Sequence, residues 1–175
     1  MTLALFKRVL FLIVFGLAGT GQVLAESHDP VTVSHGYSFF GDLKYPADFP
    51  HLDYVNPDAP KGGEISQWGF GTFDSFNAYA RKGNTASLSS VPYEAILTGF
   101  ADDATATYCF LCTTIEYPES LDWAIFNLRD DVTFSDGSAM AAEDVKFTFD
   151  LFMEQGLPSY RAAVSGMVAS IEVLD

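Results

Sequence analysis

Hydrophobic and polar positions change period several times along the chain, and each change predicts an element. From Glu64 to Phe70, Ile65, Gln67 and Gly69 alternate with Ser66, Trp68 and Phe70, which predicts a strand. Ser87 to Phe100 reads as a helix. Ser89 or Ser90 could cap it, Pro92 suits its first turn, and Tyr93, Ile96 and Leu97 share one face. Ile115 to Pro118 and Trp123 to Leu128 predict two strands joined by the acidic turn Glu119-Ser120-Leu121-Asp122. The second is apolar on both faces and is expected to be well covered. Ser135-Asp136-Gly137 predicts a tight turn with Gly137 at positive φ. Ala141 to Gln155 carries the clearest helical period. Val145, Phe149, Phe152 and Met153 form one stripe that Phe147 and Leu151 widen. Glu143 and Asp144 sit where the helix dipole favours anions, and Gly156 and Pro158 end the helix. Ser170 to Asp175 resembles a strand entering a turn. Strands alternating with helices predict an α/β or α+β class.

The segments outside these periods are equally informative. Glu26 to Pro60 is rich in His, Pro, Asp and Tyr without a sustained period, and predicts an extended arm with turns. Asn56 to Gly63 holds two prolines and two glycines, which interrupt helix and ladder alike. Gly69 to Asn77 then reads as a loop whose glycines permit close backbone approach. Met1 to Ala25 contains no acid. It carries Lys7 and Arg8, an apolar run from Val9 to Ala18, and small residues at Val23 and Ala25. That is the layout of a cleaved secretory signal, and the run is too short to span a bilayer. No cysteine lies near the expected cut, so a lipid anchor is not expected, and the periplasm is the expected compartment.

Charge narrows the partners. The 175 residues carry 9 basic and 23 acidic side chains, a net charge of −14. Losing the leader removes only Lys7 and Arg8 and leaves −16. Such a surface disfavours nucleic acid and anionic lipid. A hydrophobic content of 49%, including 16 Phe and 8 Tyr, excludes a disordered tail.

Catalytic signals are sparse. Cys109-Phe110-Leu111-Cys112 lacks the further ligands of a zinc site and the following His of a haem site. An extended strand would hold residues three apart about 10 Å from each other, beyond the ~7 Å reach of a disulfide, whereas a turn would bring them together. A local disulfide, two buried thiols and a redox dithiol all remain open. His28, His35 and His51 share no ligand spacing. The carboxylates from Asp53 to Asp144 lack a partnered base and fit a solvated face. No nucleophile elbow, phosphate loop or dinucleotide fingerprint occurs, so neither metal nor cofactor is expected. The remaining features, aromatic surface beside glycine-rich backbone, suit noncovalent binding.

Asn127-Leu128-Arg129-Asp130-Asp131-Val132-Thr133-Phe134-Ser135-Asp136-Gly137 with Ala142-Glu143-Asp144-Val145-Lys146-Phe147-Thr148-Phe149 resembles the family 5 extracellular solute-binding proteins, periplasmic components of ABC importers. Asp53 to Gly63 and Phe73-Asp74-Ser75-Phe76-Asn77 are similar to a branch linked to longer peptides and microcin C-like compounds. The resemblance covers nearly all of residues 35–175 and implies a two-lobed periplasmic binding fold of the second class, present in part. Residues 26–77 would start lobe one. Residues 78–175 would form its extra domain, truncated at the C-terminal end. It also implies Thr72, Phe73 and Asp74 as ligand contacts, with a peptide ligand, an inner-membrane ABC permease as partner, and a monomer. Ala141 departs from the Ser or Thr usual at the helix cap, a loss worth about 1 kcal/mol. A thiol–disulfide oxidoreductase using Cys109 and Cys112, or a non-functional gene fragment, are the alternatives.

Overall fold

The computed structural model describes residues 29–174. The leader, His28 and Asp175 lie outside the described residues. Two three-stranded antiparallel sheets come first in the chain. One has the order β1 (Val31–Ser34), β5 (Cys112–Pro118), β6 (Ile125–Leu128). The other has the order β2 (Gly36–Ser38), β4 (Asp103–Cys109), β3 (Leu97–Phe100). Two helices follow, α1 (Ala142–Gln155) and α2 (Pro158–Val164). Helix and sheet are thus both present, but segregated along the chain, where the sequence predicts alternation. The strands of both sheets come from both sides of residue 77.

The core sits where the N-terminal arm folds over β4. Tyr45, Ala106 and Tyr108 are buried, with Leu43, Phe49, Leu52 and Phe100 packed around them. Phe100 stacks on Tyr108 at 4.7 Å between centroids and meets Tyr45 edge-on at 5.6 Å. The hydroxyls at the edge of this cluster are all used. Tyr45 Oη donates to Asp102 Oδ2 (2.5 Å) and accepts from the Asp53 amide (2.9 Å). Tyr108 Oη donates to Asp103 and accepts from the Tyr45 amide (3.2 Å). His35 Nε2 donates to the Tyr45 carbonyl at 2.8 Å. Lys44 bridges Asp102 (2.5 Å) and Asp53 (2.9 Å). Bonding to Lys44 and then to Tyr45 holds the Asp102 carboxyl below the ordinary aspartate range, and the two carboxylates push the Lys44 ammonium up.

Several predicted elements form as expected. β5 and β6 occupy the two strands read around the acidic turn, and α1 starts and ends within a residue of its predicted bounds. Gly137 has φ of +87° in the predicted turn. There the Asp136 carboxylate accepts from both the hydroxyl and the amide of Ser138, which lowers its pKa. Ala141 has no side-chain oxygen, but Asp144 Oδ2 accepts from the Ala141 amide at 2.8 Å, the return half of a capping box.

Four expectations fail. Glu64 to Phe70 forms no strand, because no neighbouring strand offers it a ladder among the described residues. Ser87 to Phe100 is not a helix. Leu88 takes a positive φ of 64°, four-residue turns close at Ser89, Val91 and Tyr93, and Leu97–Phe100 joins β4 as β3. The β6 region is not well covered, since Trp123 and Phe126 stay 42% and 39% exposed. Ser170 to Leu174 adopts no strand. The arm, expected to be extended with turns, is extended at β1 and β2 and pairs there with β5 and β4.

Candidate functional site

The three residues singled out by resemblance, Thr72, Phe73 and Asp74, lie together on an exposed loop. Gly71 precedes them in a bend at φ of +94°, in the left-handed region that favours glycine. Asp74 then anchors the loop to a second segment ten residues on. Its amide donates to the Asn84 carbonyl (3.0 Å), and its Oδ1 accepts from the Asn84 amide (2.7 Å). The Ser75 amide also donates to the Asn84 carbonyl (3.2 Å), and the Ala86 amide to the Ser75 carbonyl (2.8 Å). Gly83 makes this approach possible. A Cβ there would stand 2.3 Å from Asp74 Oδ1, and its φ of +86° suits glycine.

Inside this clamp, Asn77 and Ser75 side chains satisfy neighbouring amides. Asn77 N donates to Ser75 Oγ (3.0 Å) and Tyr79 N to Asn77 Oδ1 (2.9 Å). Tyr79 packs against Tyr93 and against Phe152 of α1, with centroids 5.1 and 4.9 Å away, so the loop rests on the helix. Asp74 Oδ2 has no hydrogen-bond partner among the described residues, nor do the backbone groups of Thr72 and Phe73. Phe73 pairs with Phe76 at 5.1 Å, and both stay exposed, as do Trp68 and Phe70. The loop therefore offers one free carboxylate oxygen, unpaired backbone and an aromatic surface. That set suits an ammonium group on an extended, partly apolar chain.

Sequence reasoning missed Asn84 and Gly83. Their only signal was the turn-forming pair itself, placed after Arg81 and Lys82.

The second candidate, Cys109 and Cys112, closes as a disulfide, with Cα atoms 4.9 Å apart. Cys109 ends β4 and Cys112 opens β5, so the backbone between them turns a corner instead of running on as a strand. Neither sulfur stands at a helix N-terminus, where a thiolate would be stabilised. Among the described residues no group of three or more His, Cys, Asp or Glu is arranged to hold a metal ion.

Comparison with known proteins agrees with the resemblance. The sequence profile of the bacterial extracellular solute-binding proteins, family 5 (middle region), matches residues 116–175. The chain belongs to this family. Among its relatives, "Uncharacterized protein YejA" of Escherichia coli K12 is 34% identical over 158 residues, covering 90% of this chain and 25% of that protein. "Peptidoglycan-binding protein YepA" of Agrobacterium fabrum is 34% identical over 181 residues, covering 99% of this chain and 28% of its own. "Probable peptide-binding protein YejA" of the same organism is 38% identical over 115 residues, covering 66% and 19%. The chain thus spans about a quarter of the length of the relatives it matches.

Proposed function

We propose that the chain is part of a periplasmic solute-binding component of an ABC importer. It grips an oligopeptide or peptide-like compound noncovalently and hands it to a permease in the inner membrane. On this reading residues 26–77 open lobe one, residues 78–175 form its extra domain, and the mature protein works as a monomer exported by the leader. The observation that carries the reading is the clamp at Asp74, which leaves Oδ2 and the preceding backbone of Thr72 and Phe73 without a partner among the described residues. A peptide's N-terminal ammonium pairs with Asp74, and its first residues extend along Thr72 and Phe73 as an added strand. One relative carries the name probable peptide-binding protein, which supports this ligand class, and another the name peptidoglycan-binding protein. No bond in the ligand is made or broken, and ligand contacts shift the population toward a closed form.

A thermodynamic cycle on the full-length protein tests the ammonium pairing. Asp74→Asn keeps an acceptor for the Asn84 amide but removes the charge. Affinity for unmodified peptides falls about tenfold or more, as expected for a charge-assisted bond worth ~1.5–3 kcal/mol. The same peptides N-acetylated bind wild type and variant alike. Equal loss for both peptide sets would assign Asp74 to loop structure alone.

A further inference from the structure

We propose that the Cys109–Cys112 disulfide is a redox-controlled brace that pins the two sheets together at their shared corner. The strand registers locate the corner. Ser34 pairs with Ile115 in one sheet and Gly36 with Tyr108 in the other, so the β1–β2 segment passes between sheets through His35 alone. Opposite it, the β4–β5 segment uses all the residues from Cys109 to Thr114. That passage has slack, and the disulfide gathers it into a turn of two residues, Phe110 and Leu111.

The peptide groups of this turn are bonded from three directions. The Cys109 amide donates to His35 O (2.8 Å), which ties the two passages directly. The Phe110 and Leu111 amides both donate to Ile96 O (2.8 and 3.1 Å), next to β3. Phe110 O accepts from Arg129 Nη1 (3.1 Å) and Leu111 O from the Arg129 amide (3.0 Å), just beyond β6. Arg129 is itself held by two bonds to Asp131, at 2.8 and 2.7 Å. All of these bonds converge on the closed turn, so opening the disulfide loosens both sheets at once.

Access sets the direction of exchange. Cys109 is half-buried, whereas Cys112 is only 3% exposed. A thiolate of an external dithiol attacks the Cys109 sulfur, and the Cys112 sulfur leaves as a thiolate. The reagent's second thiolate then displaces Cys109, leaving two cysteine thiols and an oxidised reagent. A disulfide oxidant of an oxidising compartment runs the same two exchanges in reverse and becomes a dithiol.

Proteolysis of the full chain, purified without reductant, tests the brace. Phe110 is 41% exposed and offers a chymotrypsin site inside the corner, while exposed Phe147 on α1 is an internal control. Reduction raises cleavage after Phe110 about fivefold or more relative to Phe147, because local opening governs cutting. Reoxidation with glutathione disulfide restores protection, and Cys109→Ser/Cys112→Ser is insensitive to reductant. Equal rates at Phe110 before and after reduction overturn the proposal, as does a parallel rise at both sites. Two maleimide adducts on the denatured, unreduced chain overturn it too.

Discussion

The Tyr45 hydroxyl donates to Asp102 Oδ2 at 2.5 Å, joining the N-terminal arm to the turn between β3 and β4 across 57 positions of sequence. The same oxygen accepts from the Asp53 amide, so one phenol satisfies groups on two segments. Tyr45→Phe keeps the ring against Phe49 and Phe100 but leaves the Asp53 amide without its acceptor and Asp102 with Lys44 alone. The expected result is a thermal midpoint lower by about 5 °C with the far-UV spectrum unchanged. Calorimetric scans of the two proteins measure it.

The same cluster sets an acid limit. Asp102 has its pKa lowered by Lys44 and then Tyr45, so its contribution is complete above the ordinary aspartate value of about 3.9 and is lost as pH falls through the lower folded value. Lys44 is raised by the same contacts, so its contribution is complete below about 10.4 and fades only above that. The stability difference between wild type and Asp102→Asn is therefore flat from about pH 5 to 9 and shrinks below about pH 4. Urea unfolding of both proteins across that range reads the difference.

Gly83 tests whether loop geometry and ligand affinity are linked. Gly83→Ala must carry a methyl group at a positive φ and drive it into Asp74 Oδ1. The strain is of order 1–3 kcal/mol and falls on the clamp, not on the sheets. Hydrogen exchange at the Asn84 amide accelerates, exchange in β4 and β5 is unchanged, and peptide affinity drops in step with the loss of the clamp.

Ile115 anchors the other sheet. It is 3% exposed in β5, opposite Ser34 of β1 and Phe126 of β6. Ile115→Ala costs about 2–5 kcal/mol through lost burial and the cavity left behind. The shift in urea midpoint at constant slope gives the value.

Local signals were legible in the sequence, and long-range ones were not. The Gly137 turn, α1 and the β5–β6 hairpin are specified by residues within a few positions of one another. β4 was missed because Asp103 to Cys109 alternates Ala and Thr around one large residue, Tyr108, and shows no strong apolar period. Ser87 to Phe100 was misread because the face shared by Tyr93, Ile96 and Leu97 is helical in spacing. β4 claims Leu97–Phe100, and Tyr79 claims Tyr93. Glu64 to Phe70 keeps the alternation of a strand, but alternation alone cannot supply a ladder partner. For the site, resemblance pointed to Thr72, Phe73 and Asp74. The clamp that holds Asp74 depends on Asn84, and no short-range pattern links the two. The cysteine spacing left the pair's state open because it fixes neither a turn nor a strand; the corner between the sheets does.

The central claim is that this protein holds a peptide without changing it. Isothermal titration of short unmodified peptides into the full-length protein, with mass spectrometry of the peptide recovered afterwards, tests that directly. Saturable binding at one site and return of the peptide at its original mass is the result expected. Absence of binding across a broad peptide set, or recovery of cleaved or otherwise altered peptide, would contradict it.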